Sequence, residues 1–242
     1  TSQGYVMVKY NGTNEKVKLQ ITCPDQSCYT YLISDRGAYD TFPLTAGNGS
    51  YALQVLENVA GDTYTVSLTQ SINVSIEDEF LPFLYPNQYV NFHADSKAVS
   101  KGSDLAKDTY SDLDVVQNIY NYVIKNISYD TEKAQNVSYG YVPDVDDTLS
   151  SKKGICFDYA ALMTSMLRSQ NIPTKLEVGY SGDAYHAWIS TYIDDKGWVD
   201  DIIQFDGDTW QIMDPTLAAT NDSAAVKKYV GDGSHYVVKY TY

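Results

Sequence analysis

From Tyr5 to Ile76 apolar and polar side chains take turns along the chain, and then the alternation stops. The runs "YVMVKY", "VKLQI", "YTYLI", "YALQV", "YTVSL" and "INVSI" have the period of two that sends successive side chains to opposite faces of a pleated strand. Turn-forming spacers, "NGTN", "PDQS", "DRGAYD", "AGNGS" and "AGD", separate them. Short strands at this spacing predict a β-sandwich of immunoglobulin-like type. The segment "EDEFLPFLYPNQYVNF", Glu77 to Phe92, breaks the pattern with prolines and crowded aromatics and marks a boundary. Two domains are expected, 1–78 as an accessory β-sandwich and 79–242 as a second domain that carries any chemistry, since the first contains no His.

A chain of 242 residues, 43% hydrophobic and 20% charged, can bury a proper core and is not disordered. Its net charge of −14 excludes a general phosphate-binding surface, so a nucleic-acid partner is not expected. No apolar run approaches the roughly 18 residues of a membrane span, and Thr1-Ser2-Gln3 does not begin a signal peptide. The chain as given reads as soluble. Its acidic, Tyr-rich and Cys-poor composition suits the exterior of a bacterium, extracellular or at the cell surface.

Beyond the boundary, "SDLDVVQNIYNYVIKNI" repeats Leu113, Val116, Tyr120, Val123 and Ile127 near a 3.6-residue period, with Ser111 placed to cap a helix and Asp114 in its first turn. Tyr129 to Lys153 reads as a long acidic loop. "KKGICFDYAALMTSML" then turns from a glycine into a second helix, with Tyr159, Leu162, Met163, Met166 and Leu167 as its core stripe and Pro173 beyond its end. "TKLEVGYSG", "HAWISTYID", "GWVDDII", "TWQIMD" and "YVVKYTY" read as strands of an antiparallel sheet. A helix packed on such a sheet gives an α+β second domain.

Three cysteines divide as two and one. Cys23 and Cys28 flank "PDQS" and read as facing thiols at the mouth of a hairpin, placed for a disulfide. Cys156 stands alone at a helix N-terminus, where the macrodipole favours thiolate and therefore a nucleophile. A nucleophilic thiol needs a base and a group to orient that base. His186 in "YHAWIS" supplies an imidazole on a strand whose Trp188 and Ser190 share its face. Asp214 in "WQIMDPT" ends a later strand before a proline, and would accept the His186 Nδ1 proton if the two strands pair. Trp188, Trp198 and Trp210 read as packing anchors. The acidic pairs Asp146-Asp147, Asp194-Asp195 and Asp200-Asp201, with Asp206 to Asp208, read as solvated loops, since none has EF-hand spacing. No metal and no cofactor is expected.

"GICFDYA", "HAW" and "MDPT", in this order, resemble the core of the transglutaminase-like superfamily over about Asp112 to Thr216. The resemblance implies a papain-related fold in which Cys156 is nucleophile, His186 base and Asp214 orienting carboxylate. It also implies a thioacyl enzyme formed from a protein or peptide amide and resolved by water or by an amine, with peptidase or amidase action ahead of transamidation. The oxyanion would be held by the Cys156 backbone N–H and a second donor, for which Tyr129 and Tyr141 are the candidates. Gly154 is expected to let backbone approach substrate, and Tyr159 to pack. The competing reading is a non-catalytic peptide-binding or surface scaffold on the same fold.

Overall fold

The computed structural model describes residues 1–33, 37–194, 196–200, 203–205, 210–212 and 236–242. They fall into two units, Thr1–Pro82 and Phe83–Tyr242. The described part of the first unit is all-β: β1 (Tyr5–Lys9), β2 (Val17–Thr22), β3 (Cys28–Leu32), β4 (Tyr39–Pro43), β5 (Gly49–Ala60) and β6 (Thr63–Val74). An antiparallel sheet of order β3-β2-β5-β6 and an antiparallel β1-β4 ribbon make its layers. In β2 the alternation resolves as read, with Val17, Leu19 and Ile21 buried while Lys18, Gln20 and Thr22 are only partly covered. Tyr31 of β3 meets Phe42 of β4 at 4.8 Å between ring centroids, so the two layers share one core.

Two details differ from the sequence expectation. "DRGAYD" is not only a spacer, because its last residues open β4, whose inward Phe42 and whose neighbour Leu44 are both fully buried. Pro43 closes that strand at the end of a two-stranded ribbon, where a missing N–H costs no ladder bond on a further strand. "YTVSL" and "INVSI" are one strand, since Thr69, Gln70 and Ser71 between them pair with β5 without a break. The turn from β5 to β6 needs Gly61, whose φ is +53°.

The Cys23–Cys28 disulfide is corrected. Cys28 pairs in register with Thr22, while the Cys23 N–H donates to the Ser27 carbonyl at 2.9 Å, so the cysteines are offset by one residue. An offset of one sends side chains to opposite faces. Cys23 is accordingly buried, Cys28 exposed, and both are free thiols. Burial pushes the Cys23 thiol above its ordinary range.

In the second unit the segment after the boundary forms a 3-10 turn at Leu81–Phe83, which straddles the two units, and then α1 (Lys97–Leu105), α2 (Asp112–Asn126), β7 (Ser128–Tyr129), α3 (Thr131–Asn136), α4 (Val145–Ser151), β8 (Lys153–Gly154) and α5 (Cys156–Arg168). The strands β9 (Thr174–Ser181), β10 (Ala184–Ile193), β11 (Gly197–Val199), β12 (Ile203–Phe205), β13 (Trp210–Ile212) and β14 (Tyr236–Thr241) follow. The antiparallel sheet has the order β11-β10-β9-β14. The α5 helix packs on β9 and β10 and is flanked by α1, α2 and α4, and every residue from Asp158 to Arg168 is buried. This is the expected helix on an antiparallel sheet, with the helix enclosed. Its far end is tied by the buried Arg168, which donates to the carbonyls of Thr174 at 2.9 Å, Tyr85 at 2.6 Å and Tyr242 at 2.7 Å.

The α2 cap is as read: the Ser111 hydroxyl accepts from the Asp114 N–H at 3.2 Å. The stretch from Tyr129 to Lys153 is not a long loop. It holds two short helices, each begun by an aspartate, Asp130 accepting from the Lys133 N–H and Asp144 from those of Asp146 and Asp147. Helices of six and seven residues are too short to display a period. "GWVDDII" contributes to β11 and β12, and β13 pairs antiparallel with β12. The pairing invoked to set the Asp214 strand beside the His186 strand is therefore replaced, since the neighbours of β10 are β9 and β11.

If the Cys23 and Cys28 thiols are free, unfolded protein without reductant takes up three equivalents of a thiol reagent, one per cysteine. In the native protein Cys28 reacts before Cys23. Cys28→Ser should shift the melting temperature by less than about 2 °C, because an exposed side chain with no covalent partner carries little stability. A mass two hydrogen atoms lighter than the reduced chain, or a fall of many degrees in Cys28→Ser, would restore the disulfide.

Candidate active site

Cys156 is the first residue of α5 and is half-buried. The N–H groups of a helix's first turn have no partners within the helix, and the positive end of its dipole lies there. One of these N-terminal donors is assigned. The Ile155 N–H donates to Oδ2 of Asp158 at 2.8 Å, so the third helical residue reaches back over the helix start. Asp158 is fully buried. A Cβ on Gly154 would stand 2.7 Å from the Asp158 Cβ. Gly154 thus makes room for this carboxylate, which replaces the expectation that it makes room for substrate.

A buried carboxylate needs partners. Lys133 of α3 gives one, its Nζ lying 2.7 Å from Asp158 Oδ2. Tyr141 gives another, its hydroxyl donating to Asp158 Oδ1 at 2.5 Å while accepting from Lys133 Nζ at 2.6 Å. The ammonium also lies 4.5 Å from the centre of the Tyr141 ring. Burial and then the Asp158 hydrogen bond push the Tyr141 phenol far above its ordinary range. Its proton is committed to Asp158, which removes Tyr141 from the candidates for a second oxyanion donor. Tyr129 stays close to the thiol's element: β7 and β8 run parallel with Tyr129 opposite Gly154, and the Asp130 N–H donates to the Gly154 carbonyl at 2.9 Å. Sequence reading missed Lys133 and Asp158. The signal for Asp158 was present, an acidic residue three positions after the helix cap.

His186 lies on β10, on which α5 packs, and it is 1% exposed. In the sheet it stands opposite Gly179 of β9. A Cβ on Gly179 would come 2.0 Å from the Val237 carbonyl oxygen, so the backbones of β9 and β14 meet closely beside the imidazole. Its ring lies 6.0 Å from Trp188 and 6.3 Å from Tyr236, and Trp188 is itself 4.7 Å from Tyr236. Tyr185, one residue before His186, has a phenol raised above its usual range, first by burial, then by Tyr240, Tyr180 and Cys156. Asp214 lies outside the described residues.

Other residues of the second unit have structural work. His93 Nδ1 lies 2.7 Å from Asp95 and 2.9 Å from the Ser96 hydroxyl, at the start of α1. Tyr159 is buried and its hydroxyl donates to the Ile127 carbonyl at 2.6 Å, as expected of a packing residue. Trp198 packs edge-on to Phe83 at 5.3 Å and under the Lys175 ammonium at 3.9 Å. Of the acidic pairs, Asp146 accepts the Lys97 and Ala98 N–H groups and so caps α1. Among the described residues no group of three or more His, Cys, Asp or Glu is gathered to hold a metal.

Two outcomes follow from the network around Asp158. Lys133→Met strands a fully buried carboxylate and should cost roughly 2–4 kcal/mol of stability, measured by urea unfolding. A loss below about 0.5 kcal/mol would show that the pair is not formed. Tyr141, Tyr159 and Tyr89, the last at about 12, have folded pKa values above the ordinary phenol, mainly through burial. The neutral form is the native one, so the stability they lend is complete below the unfolded value of about 10 and is lost as pH rises through the folded ones. The urea midpoint should hold steady from about pH 7 to 9 and fall beyond about 10. Tyr141→Phe should flatten that fall.

Residues 100–200 match the family model of the transglutaminase-like superfamily. The UPF0252 protein MJ1282 of Methanocaldococcus jannaschii is 32% identical over 98 residues, 36% of this chain and 28% of that protein. The Kyphoscoliosis peptidase of Mus musculus is 30% identical over 107 residues, 39% of this chain and 16% of that protein. The matched segments thus span less than a third of either relative. Among solved structures, the periplasmic domain of TgpA from Pseudomonas aeruginosa aligns with 89% of this chain and 88% of its own at a TM-score of 0.45 and 14% identity. Red sea bream transglutaminase aligns with 88% of this chain and 48% of its own at a TM-score of 0.32 and 14% identity. Residues 100–200, which contain the start of α5 with Cys156 and the strand with His186, are thus similar to the transglutaminase-like superfamily.

Proposed function

We propose that the chain is a cysteine acyl-transfer enzyme acting on protein or peptide amides, with Cys156 as nucleophile, His186 as base and Asp214 as the carboxylate that orients it. The reading rests most on Cys156, the first residue of an enclosed helix inside the region that matches the family model. The Cys156 thiol gives its proton to the His186 imidazole, and sulfur bonds to the substrate carbonyl carbon. The carbonyl electrons move to oxygen, which the Cys156 backbone N–H stabilises together with a second donor. As the carbon–nitrogen bond breaks, the amine takes the proton from the imidazolium and leaves a thioester. Water, deprotonated by the imidazole, attacks the thioester and releases acid and thiol. An amine in the place of water gives transfer.

We place hydrolysis first, a choice supported by the name of the mouse relative, a peptidase. The β unit in front is an accessory module of immunoglobulin-like type, and the acidic composition supports a place outside the cell. Among the described residues no helix is long and apolar enough to cross a membrane.

Incubating the protein with a peptide library and reading intact mass after acid quench should show an acyl adduct on Cys156. Cys156→Ala and His186→Ala should each lower kcat/KM at least about a thousandfold, and Asp214→Ala by roughly a hundredfold or more. Full turnover by Cys156→Ala would remove Cys156 as the nucleophile, and binding of peptides with neither adduct nor turnover by the unsubstituted chain would leave the scaffold reading in possession. In ¹⁸O-water with an added amine, labelled acid means hydrolysis and an unlabelled amide means transfer.

A further inference from the structure

Around the residue next to Cys156 the described surface is aromatic. Phe157 lies 5.4 Å from Tyr89 and 6.5 Å from Tyr141 between ring centroids. Tyr89 lies 4.7 Å from Tyr242, which is 6.3 Å from Tyr240. On the sheet, Tyr180 of β9 and Tyr185 of β10 are register partners with rings 5.5 Å apart. Register joins these two groups: Tyr240 of β14 stands opposite Val178 of β9, and Val178 shares a strand face with Tyr180, the partner of Tyr185; the influence of Tyr240 on both the Tyr89 and the Tyr185 phenol agrees with that placement. Tyr139, Tyr180 and Tyr185 are exposed by 80%, 40% and 56%.

Large rings exposed together cost free energy unless something covers them. Their faces carry the negative end of the aromatic quadrupole, which attracts cations. The turn that joins the Tyr180 and Tyr185 strands contributes Asp183 and no Lys or Arg, and the whole chain carries −14. Ring faces, local acid and net charge all select the same occupant.

We propose that the tyrosine field of Tyr89, Tyr180, Tyr185 and Tyr240 is a substrate subsite that binds a cationic side chain, an arginine above all, on a peptide whose nearby carbonyl is presented to Cys156. Arginine fits better than lysine, because its planar guanidinium stacks on a ring and sheds water more readily. The assignment rests on the reading of Cys156 as the nucleophile, yet binding to the field can be measured without it.

The test is equilibrium binding of three fluorescein-labelled peptides, differing only in arginine, norleucine or glutamate at one position, to the Cys156→Ala chain by anisotropy. The arginine peptide should bind roughly five- to tenfold tighter than the norleucine peptide. Tyr185→Phe, which keeps the ring, should preserve that ratio, and Tyr185→Leu should bring it close to one. Because Tyr185 is more than half exposed, neither change threatens the fold. Equal or tighter binding of norleucine makes the field an apolar patch and overturns the proposal. A preference for arginine that survives Tyr185→Leu and vanishes in about 0.5 M salt is long-range attraction to an anionic protein and overturns it too. Failure of the catalytic reading registers elsewhere, as turnover retained by Cys156→Ala, and leaves the binding ratios to stand or fall by themselves.

Discussion

The first turn of the central helix depends on one buried carboxylate. Asp158 holds the Ile155 N–H, a lysine from α3 and the hydroxyl of Tyr141, and no water-exposed surface remains to it. Without Lys133 a negative charge would sit two residues from the sulfur and oppose the positive field of the helix start. With Lys133 in place the pair is close to neutral, and the helix dipole acts on Cys156 with little opposition. The same contacts fasten residues 130–141 onto α5, so the thiol's neighbourhood and the shape of that segment are set together.

The other side of the site is governed by crowding. From His186 to Thr191 β10 is buried at every residue, which places it between packed elements on both of its faces. Gly179, opposite His186, is squeezed against the β14 backbone, where any Cβ would collide with the Val237 carbonyl. A strand so confined cannot slide by one residue without moving its whole set of side chains to the wrong face. The imidazole is therefore fixed by the register of three strands and by the rings of Trp188 and Tyr236.

What could be read from sequence follows from which interactions are local. Both long helices show because their stripes repeat often enough to display a period, and Ser111 shows because a cap and its partner are three residues apart. The β unit shows through alternation, yet β4 was hidden, since "YDTFP" has little alternation and earns its strand by burying Phe42 against β3. The cysteine pair misled because hairpin spacing does not fix register, and one residue of offset turns facing thiols into thiols on opposite faces. Cys156 and His186 stood out in the sequence by residue type and setting. The network that joins Lys133 and Tyr141 to Asp158 did not, because these contacts join positions 25 and 17 residues apart with no repeating pattern between them.

Successive residues of a helix point about 100° apart, so Cys156, Phe157 and Asp158 necessarily face three ways. Asp158 turns inward to Lys133 and Tyr141, while Phe157 turns to the tyrosines. Tyr141 closes the figure by touching both, its hydroxyl on Asp158 and its ring 6.5 Å from Phe157. A change on the aromatic side can therefore be felt by the carboxylate side through one residue that has no contact with the imidazole among its named partners. Cys156 is followed by a residue that faces rings and then by one held in a compensated ion pair. The electrostatics of a thiol and the identity of what lies beside it are thus set by a single turn of helix, and they can be varied separately only where Tyr141 is left alone.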